Sequence, residues 1–133
     1  MVKKNEQTVK FEQENRYYYD FSTSKSLKET FPNVDEINIK LKFSYDDFVQ
    51  NSDLVFKEND KAFFQIKCSN KDCIHGGFNL TNHIHESINN RLETKIGSET
   101  CNGWQDFERY KAQNYHCLCK LNYEVKFKYR NQP

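Results

Sequence analysis

The five cysteines are the residues of this chain whose type and spacing most clearly suggest a chemistry. Cys68 and Cys73 flank four polar, turn-forming residues, and Cys101 precedes an Asn-Gly turn signal. Thiolates at strand–loop junctions can converge on one ion even when they are distant in sequence. The sequence therefore predicts a zinc site with four sulfur ligands. Its expected ligands are Cys68, Cys73, Cys101 and Cys117, with Cys119 and His75 as substitutes for one of them.

From Cys68 to Cys119 the pattern resembles a zinc ribbon or zinc knuckle, in which a second thiol pair completes the pair in a hairpin loop. The spacing departs from that of a knuckle, because four residues separate Cys68 from Cys73 and fifteen separate Cys101 from Cys117. This departure weakens the assignment of individual cysteines as ligands more than it weakens the prediction of a metal. The alternative is that the cysteines are buried reduced thiols, and Cys119, on an alternating apolar face, fits that description well.

A site of four thiolates would be structural, because it leaves no coordination position for a catalytic water. His85-Glu86 lacks the spacing of a zinc deaminase motif. His83 and His85 are two residues apart and point in different directions on a helix, so they cannot clamp one ion. His116 beside Cys117 could activate a thiol nucleophile, but the sequence shows no third group to orient it. We therefore expect a non-enzymatic protein with a structural zinc ion.

The clearest elements are two strands and one helix. Apolar and polar residues alternate from Ile37 to Tyr45 and again over residues 117–130, which predicts two half-buried strands. Apolar residues recur every fourth position near residues 82–93, which predicts a helix that covers one face of the sheet. Residues 54–56 and 62–68 predict a hairpin. The expected fold class is α+β: a mainly antiparallel sheet of four or five strands, one packed helix and a zinc-knuckle-like edge.

The remaining segments give weaker signals. Thr8–Phe11 is read as the start of a strand, Ser24–Thr30 as a short helix and Asp46–Ser52 as a loop or short helix. Gly76-Gly77 predicts a turn, and Gly97 is read as the stop after the main helix. At 133 residues the chain is expected to form one domain. Within residues 1–133, we expect residues 1–8 to be disordered and residues 62–130 to form the half that the metal stabilises.

Net charge and hydropathy limit the partners and the cellular compartment that we expect. The net charge is +1, so overall charge favours neither nucleic acid nor a membrane surface. No run approaches the roughly 18 to 20 apolar residues of a membrane-spanning helix. Residues 1–15 lack the apolar core of a signal peptide. We therefore expect a cytoplasmic protein without membrane contact, in which thiols stay reduced.

Basic side chains line the polar faces of the two best-defined strands. If these strands are neighbours, the open sheet face carries a positive patch that can contact phosphates. Aromatic residues in the loop after Cys101 could stack on bases or anchor a protein partner. A solvated strand face is the alternative, because lysine is common there. The candidate interaction residues are Lys40, Lys42, Lys126, Lys128 and Arg130 on the strands and Trp104, Phe107 and Tyr110 in the loop.

The function favoured by the sequence is a zinc-stabilised interaction module that binds a protein or a protein–nucleic acid complex. One alternative is a nucleic-acid-binding protein like a zinc ribbon, and another is an enzyme that uses Cys117 or Cys119 with His116. Lysine is far more frequent than arginine, and alanine occurs only at Ala62 and Ala112. This bias is typical of an AT-rich genome, so an accessory or inhibitor protein of a phage or bacterial mobile element is expected.

Overall fold

The computed structural model describes residues 6–45, 48–70, 73, 76–101, 103, 117 and 119–130. Over these residues the fold is mixed α+β, with a mainly antiparallel four-stranded sheet and few helices. The elements in chain order are α1 (Glu6–Thr23), α2 (Leu27–Thr30), β1 (Val34–Tyr45), β2 (Phe48–Phe56), β3 (Gln65–Ile66), β4 (Phe78–Asn79), α3 (Thr81–Asn89), β5 (Thr94–Thr100) and β6 (Lys120–Tyr129).

The large sheet has the strand order β2-β1-β6-β5, and each pair is antiparallel. The two strands predicted from alternation are confirmed as central neighbours, with Ile39 opposite Val125. The second strand begins at Lys120 instead of residue 117, so Cys117 and Cys119 lie just before it. A period of two places all apolar residues of a strand on one face. That face is buried and carries Ile37, Ile39, Leu41 and Phe43 of β1 and Leu121, Tyr123, Val125 and Phe127 of β6.

The strand β2 corrects two predictions. Phe48–Ser52 is strand, whereas a loop or short helix was expected over Asp46–Ser52, and the residues 54–56 belong to the same strand. β2 pairs with β1 and not with residues 62–68, so the predicted hairpin is wrong. Its residues are exposed or half-buried throughout, because it lies at the edge of the sheet. An edge strand has little need for regular alternation, which is why the sequence signal was weak.

The segment after α3 also differs from its prediction. The helix ends at Asn89, and Arg91 adopts a positive φ of 53° just beyond it. Gly97 is not a helix stop, because it lies inside β5 opposite Tyr123 of β6. A Cβ atom at Gly97 would overlap the Tyr123 ring. Glycine at this position therefore lets the tyrosine ring lie across the edge strand.

The first helix, α1, was not predicted, and Thr8–Phe11 is helical instead of extended. It contains no glycine or proline, and seven of its eighteen residues are strong helix formers, namely glutamate, glutamine, lysine and arginine. Tyr17 and Phe21 pack edge-on against Phe63, at ring-centroid distances of 5.0 and 5.5 Å. The predicted disordered segment 1–8 overlaps this helix at residues 6–8 and otherwise lies outside the described residues. Among the residues that the structure describes, no helix is both long and apolar enough to cross a membrane.

The short helix predicted within Ser24–Thr30 is confirmed as α2. Ser26 caps it, because the Glu29 backbone N–H donates to Ser26 Oγ at 3.2 Å and the hydroxyl donates to the Glu29 carboxylate at 3.0 Å. Serine followed by glutamate three residues later is the spacing of a capping box, and here the glutamate accepts from the serine hydroxyl. The helix buries Leu27 completely in the core, so α2 anchors the chain that leads into β1.

The buried face of the sheet is covered by α3 and by the small β3–β4 ladder. Ile84 of α3 joins the core, and the Phe43 and Phe78 rings lie 6.0 Å apart. Phe64, just before β3, packs edge-on against Phe56 at 5.1 Å. This arrangement confirms that a helix packs on one sheet face, and it brings the β3–β4 connection beside the start of β6.

Candidate metal centre

Four cysteines from four places in the chain meet at one end of the sheet. Cys68 follows β3, Cys73 lies in the β3–β4 connection, Cys101 directly follows β5, and Cys117 precedes β6. Their Sγ atoms all lie within 4.8 Å of one another. The Cys68–Cys117 and Cys73–Cys101 sulfur distances are 3.6 and 3.5 Å. These are the four residues that the sequence predicted as metal ligands.

The sulfur spacing fits tetrahedral coordination. With a zinc–sulfur bond of about 2.3 Å, two ligand sulfurs of a tetrahedron lie about 3.8 Å apart. The Cys68–Cys117 and Cys73–Cys101 sulfur distances, 3.6 and 3.5 Å, are close to that value. They are far longer than the roughly 2.05 Å of a disulfide, and none of the five cysteines forms a disulfide. The cluster can therefore hold a metal ion of soft, tetrahedral preference.

The backbone around the site extends the β5–β6 pairing beyond the two strands. The Cys101 N–H donates to the Cys119 carbonyl at 2.9 Å, and the Cys117 N–H donates to the Gly103 carbonyl at 2.7 Å. Across the site, the Cys73 N–H closes a turn onto the Asn70 carbonyl at 3.1 Å. Two local hairpin-like arrangements therefore face each other, and each supplies two sulfurs.

Two hydrogen bonds to sulfur support the cluster. The Asn70 side-chain amide, which is 8% exposed, donates to Cys117 Sγ at 3.4 Å. The Gly103 N–H donates to Cys101 Sγ at the same distance. Donors of this kind stabilise thiolates and orient metal ligands. Sequence reasoning treated both residues as turn residues and missed this role, because the contacts depend on the fold.

The cysteine cluster also requires a glycine at position 76. A Cβ atom at this position would overlap both Cys73 Sγ and Cys101 Sγ. The sequence analysis interpreted Gly76 as a turn residue only. The structure adds that its missing side chain leaves the room in which two of the four sulfurs approach each other.

The four thiols interact strongly enough to change one another's protonation. Hydrogen bonds from Cys101, Cys68 and Cys73 lower the pKa of Cys117. The hydrogen bond with Cys117 and burial raise the pKa of Cys101, but the hydrogen bonds with Cys68, Cys73 and the Gly103 N–H outweigh them and lower this pKa to about 7. Hydrogen bonding within the cluster raises the pKa of Cys68 and of Cys73. A dication would displace the shared protons, so metal binding here should release protons.

Of the two substitute ligands, Cys119 lies among the described residues, and it does not join this cluster. Cys119 is fully buried, and its Sγ lies 3.7 Å from the Ser69 hydroxyl. It is not one of the four mutual sulfur neighbours. His75, the other substitute, and His116, the candidate partner of a nucleophilic thiol, lie outside the described residues.

The lysines predicted as an interaction surface share the open face of the sheet. Lys40, Lys42, Lys126 and Lys128 are all exposed there. Lys126 forms an ion pair with Glu124 at 3.5 Å. Arg130 differs from these lysines, because ion pairs with acidic residues of two other segments neutralise its charge. Its partners are Asp35, at 3.0 Å, and Glu58. Trp104, Phe107 and Tyr110 lie outside the described residues.

Compared with known proteins, the chain matches no family model, no curated protein and no solved structure. The likeness to zinc ribbons and knuckles is therefore one of cysteine pattern alone, and the knuckle-like edge stays a prediction. What this protein does has to be inferred from its own residues.

Proposed function

We propose that this protein is a non-enzymatic, cytoplasmic interaction module stabilised by one structural zinc ion, and that it binds a protein or a protein–nucleic acid complex. The convergence of four thiols from four separate segments carries the proposal. Two of the thiols come from the β3–β4 connection, one follows the end of β5, and one precedes the start of β6. An ion at their centre would cross-link these separate parts of the chain.

A structural role fits the donor set better than a catalytic one. Four sulfurs complete a tetrahedral shell and leave no open position for water or substrate. The hydrogen bonds from Asn70 and Gly103 fix the sulfurs further. In a structural site the metal-binding free energy contributes directly to folding.

A protein partner is favoured by exposed aromatic side chains on α1. Tyr18, Tyr19 and Phe21 are 63%, 68% and 44% exposed. Aromatic residues dominate the binding energy of protein interfaces, because they bury large areas with few rotatable bonds. An accessory or inhibitor protein of a phage or bacterial mobile element is the setting that we propose, on the basis of size and composition.

Native mass spectrometry tests the metal part of this proposal. Protein purified without added metal should carry one zinc ion per chain, and a chelator at neutral pH should remove it. Loss of the ion should lower the melting temperature, measured in parallel by circular dichroism. Fresh protein that carries no metal, or metal loss that leaves the melting temperature unchanged, would contradict a structural zinc site.

A second candidate function, nucleic-acid binding, is favoured by one part of the open sheet face. Lys42 lies opposite Asn51 and Asn122, and Lys120 lies opposite Ser44 and Thr100. The described residues of this part contain no carboxylate on the open face, in contrast to the part around Glu124. Lysine, serine, threonine and asparagine are among the residue types that contact phosphates.

The second candidate predicts salt-dependent binding of single-stranded nucleic acid. Replacing Lys42 and Lys120 with glutamine should weaken binding and reduce the slope of log affinity against log salt concentration by about 1 per lysine. The matched control is Lys126→Gln, since Lys126 is already paired with Glu124. Fluorescence anisotropy with a labelled oligonucleotide measures this. Equal effects of all three substitutions, or no binding at low salt, would exclude a phosphate site here.

A further inference from the structure

The edge strand β2 lacks the features that usually protect an exposed strand. Its backbone register with β1 is continuous from Tyr45↔Phe48 to Ile37↔Phe56, without a bulge. The nine residues of β2 contain no proline and no lysine, although edge strands commonly use both to prevent pairing with another chain. Within the described part of the chain, no strand lies on the outer side of β2.

The sequence of β2, Phe-Val-Gln-Asn-Ser-Asp-Leu-Val-Phe, is nearly symmetric about Ser52. Phe48 and Val49 at its start are repeated in reverse order by Val55 and Phe56 at its end. When two identical strands pair antiparallel about a twofold axis, residues equally far from the axis lie opposite each other. An axis at Ser52 therefore places Phe opposite Phe, Val opposite Val and Ser opposite Ser, whereas Gln50 faces the partner's Leu54 and Asn51 faces the partner's Asp53.

The symmetric residues also agree in the sheet face that they occupy. Val49 and Val55 lie on the open face, and they are 55% and 50% exposed. Phe48 and Phe56 lie on the opposite face, opposite Tyr45 and Ile37 of β1. Phe48 is itself 50% exposed. One strand thus presents an unpartnered apolar residue on each face, at positions that a symmetric partner can cover.

We propose that β2 pairs antiparallel with β2 of a second copy of this chain, which joins two four-stranded sheets into one of eight strands. Val49 lies opposite the partner's Val55, and Phe48 lies opposite the partner's Phe56. Asp53 faces the partner's Asn51, so the two Asp53 carboxylates do not oppose each other directly. Cross-strand apolar pairs of this kind stabilise sheets.

Other registers are less favourable. A shift of one residue places Val49 opposite the partner's Leu54, which belongs to the other face of the sheet. A shift of two residues keeps the faces but leaves an end of each strand, with its exposed valine, unpaired. This inference does not depend on the zinc ion, because β2 contains none of the clustered cysteines.

Charge substitutions test the register directly in the zinc-loaded full chain. Val49→Lys and Val55→Glu should each weaken dimerisation by about tenfold, measured by sedimentation velocity over a concentration series. The double variant V49K/V55E should restore dimerisation, because each lysine then faces the partner's glutamate. The two positions are six residues apart in one strand, about 20 Å, so they cannot pair within one chain.

The matched control is Ile96→Lys on the other edge strand, β5, where Ile96 is 69% exposed on the same sheet face. It should leave the dimer unchanged, and circular dichroism should show that all variants are folded. A protein that is monomeric at every concentration would overturn the proposal and leave the strand of another protein as the occupant of this edge. A dimer that resists both β2 substitutions, or one that Ile96→Lys disrupts, would also overturn it.

Discussion

Replacing Cys117 with alanine is expected to abolish stoichiometric zinc binding and to lower the melting temperature by at least about 10 °C. The Cys117 side chain is fully buried, and its sulfur lies 3.6 Å from Cys68 Sγ. Three remaining sulfurs bind zinc more weakly, and the unfolded chain has no preformed site, so the lost binding free energy is lost from folding. Metal analysis together with differential scanning calorimetry measures both effects.

The matched control is Cys119→Ala, two residues further along the chain. Cys119 is as buried as Cys117, but its sulfur faces the Ser69 hydroxyl instead of the cluster. This variant should keep one zinc ion per chain and lose about 1 kcal/mol of stability from the deleted apolar group. If Cys119→Ala lost the metal and Cys117→Ala kept it, the ligand assignment would be wrong.

The central strands and the four clustered cysteines could be predicted because each has a local signal. In β1, residues from Ile37 to Tyr45 alternate strictly, since one face meets the core and the other meets solvent. Cys68, Cys73 and Cys101 lie beside turn-forming residues, where a buried apolar thiol would be unusual. Such patterns depend on the immediate neighbours of a residue, so they can be recognised from the sequence alone.

The helix α1 and the strand β2 lacked a comparable signal. Among the α1 side chains that the structure describes, Tyr17 and Phe21 pack against Phe63, and two such contacts do not produce a periodic apolar stripe. In β2 the side chains are exposed or half-buried, so the alternation that identifies a half-buried strand is weak. Its near-symmetry about Ser52 is visible in the sequence, but it acquires meaning only when the strand is placed at a sheet edge.

The surroundings of the metal site could not be predicted, because they depend on contacts between distant segments. Asn70 reaches a cysteine 47 residues away. Gly76 approaches Cys101, which belongs to a different strand end. Nothing in the spacing of these residues encodes the distance between the two halves of the cluster.

Replacing Gly76 with alanine is expected to lower zinc affinity by about 100-fold, a size typical of changes to the groups around a metal site. The added Cβ atom would overlap Cys73 Sγ and Cys101 Sγ, so either the sulfurs or the loop that carries residue 76 must shift. Competition with a chromophoric chelator measures the affinity. Wild-type affinity in this variant would show that the loop can move aside and that the cluster tolerates a side chain there.

The control for Gly76→Ala is Gly97→Ala, which creates a clash of the same kind away from the metal. A Cβ atom at Gly97 would overlap the Tyr123 ring, and neither residue touches the cysteine cluster. Overpacking of this kind costs about 1 to 3 kcal/mol of stability, but zinc affinity should stay unchanged. A lower melting temperature in both variants, with weaker zinc binding in Gly76→Ala alone, would separate the requirement of the metal site from that of the fold. Equal loss of affinity in both variants would instead mean that the cluster responds to general destabilisation, and the special role of Gly76 would have to be abandoned.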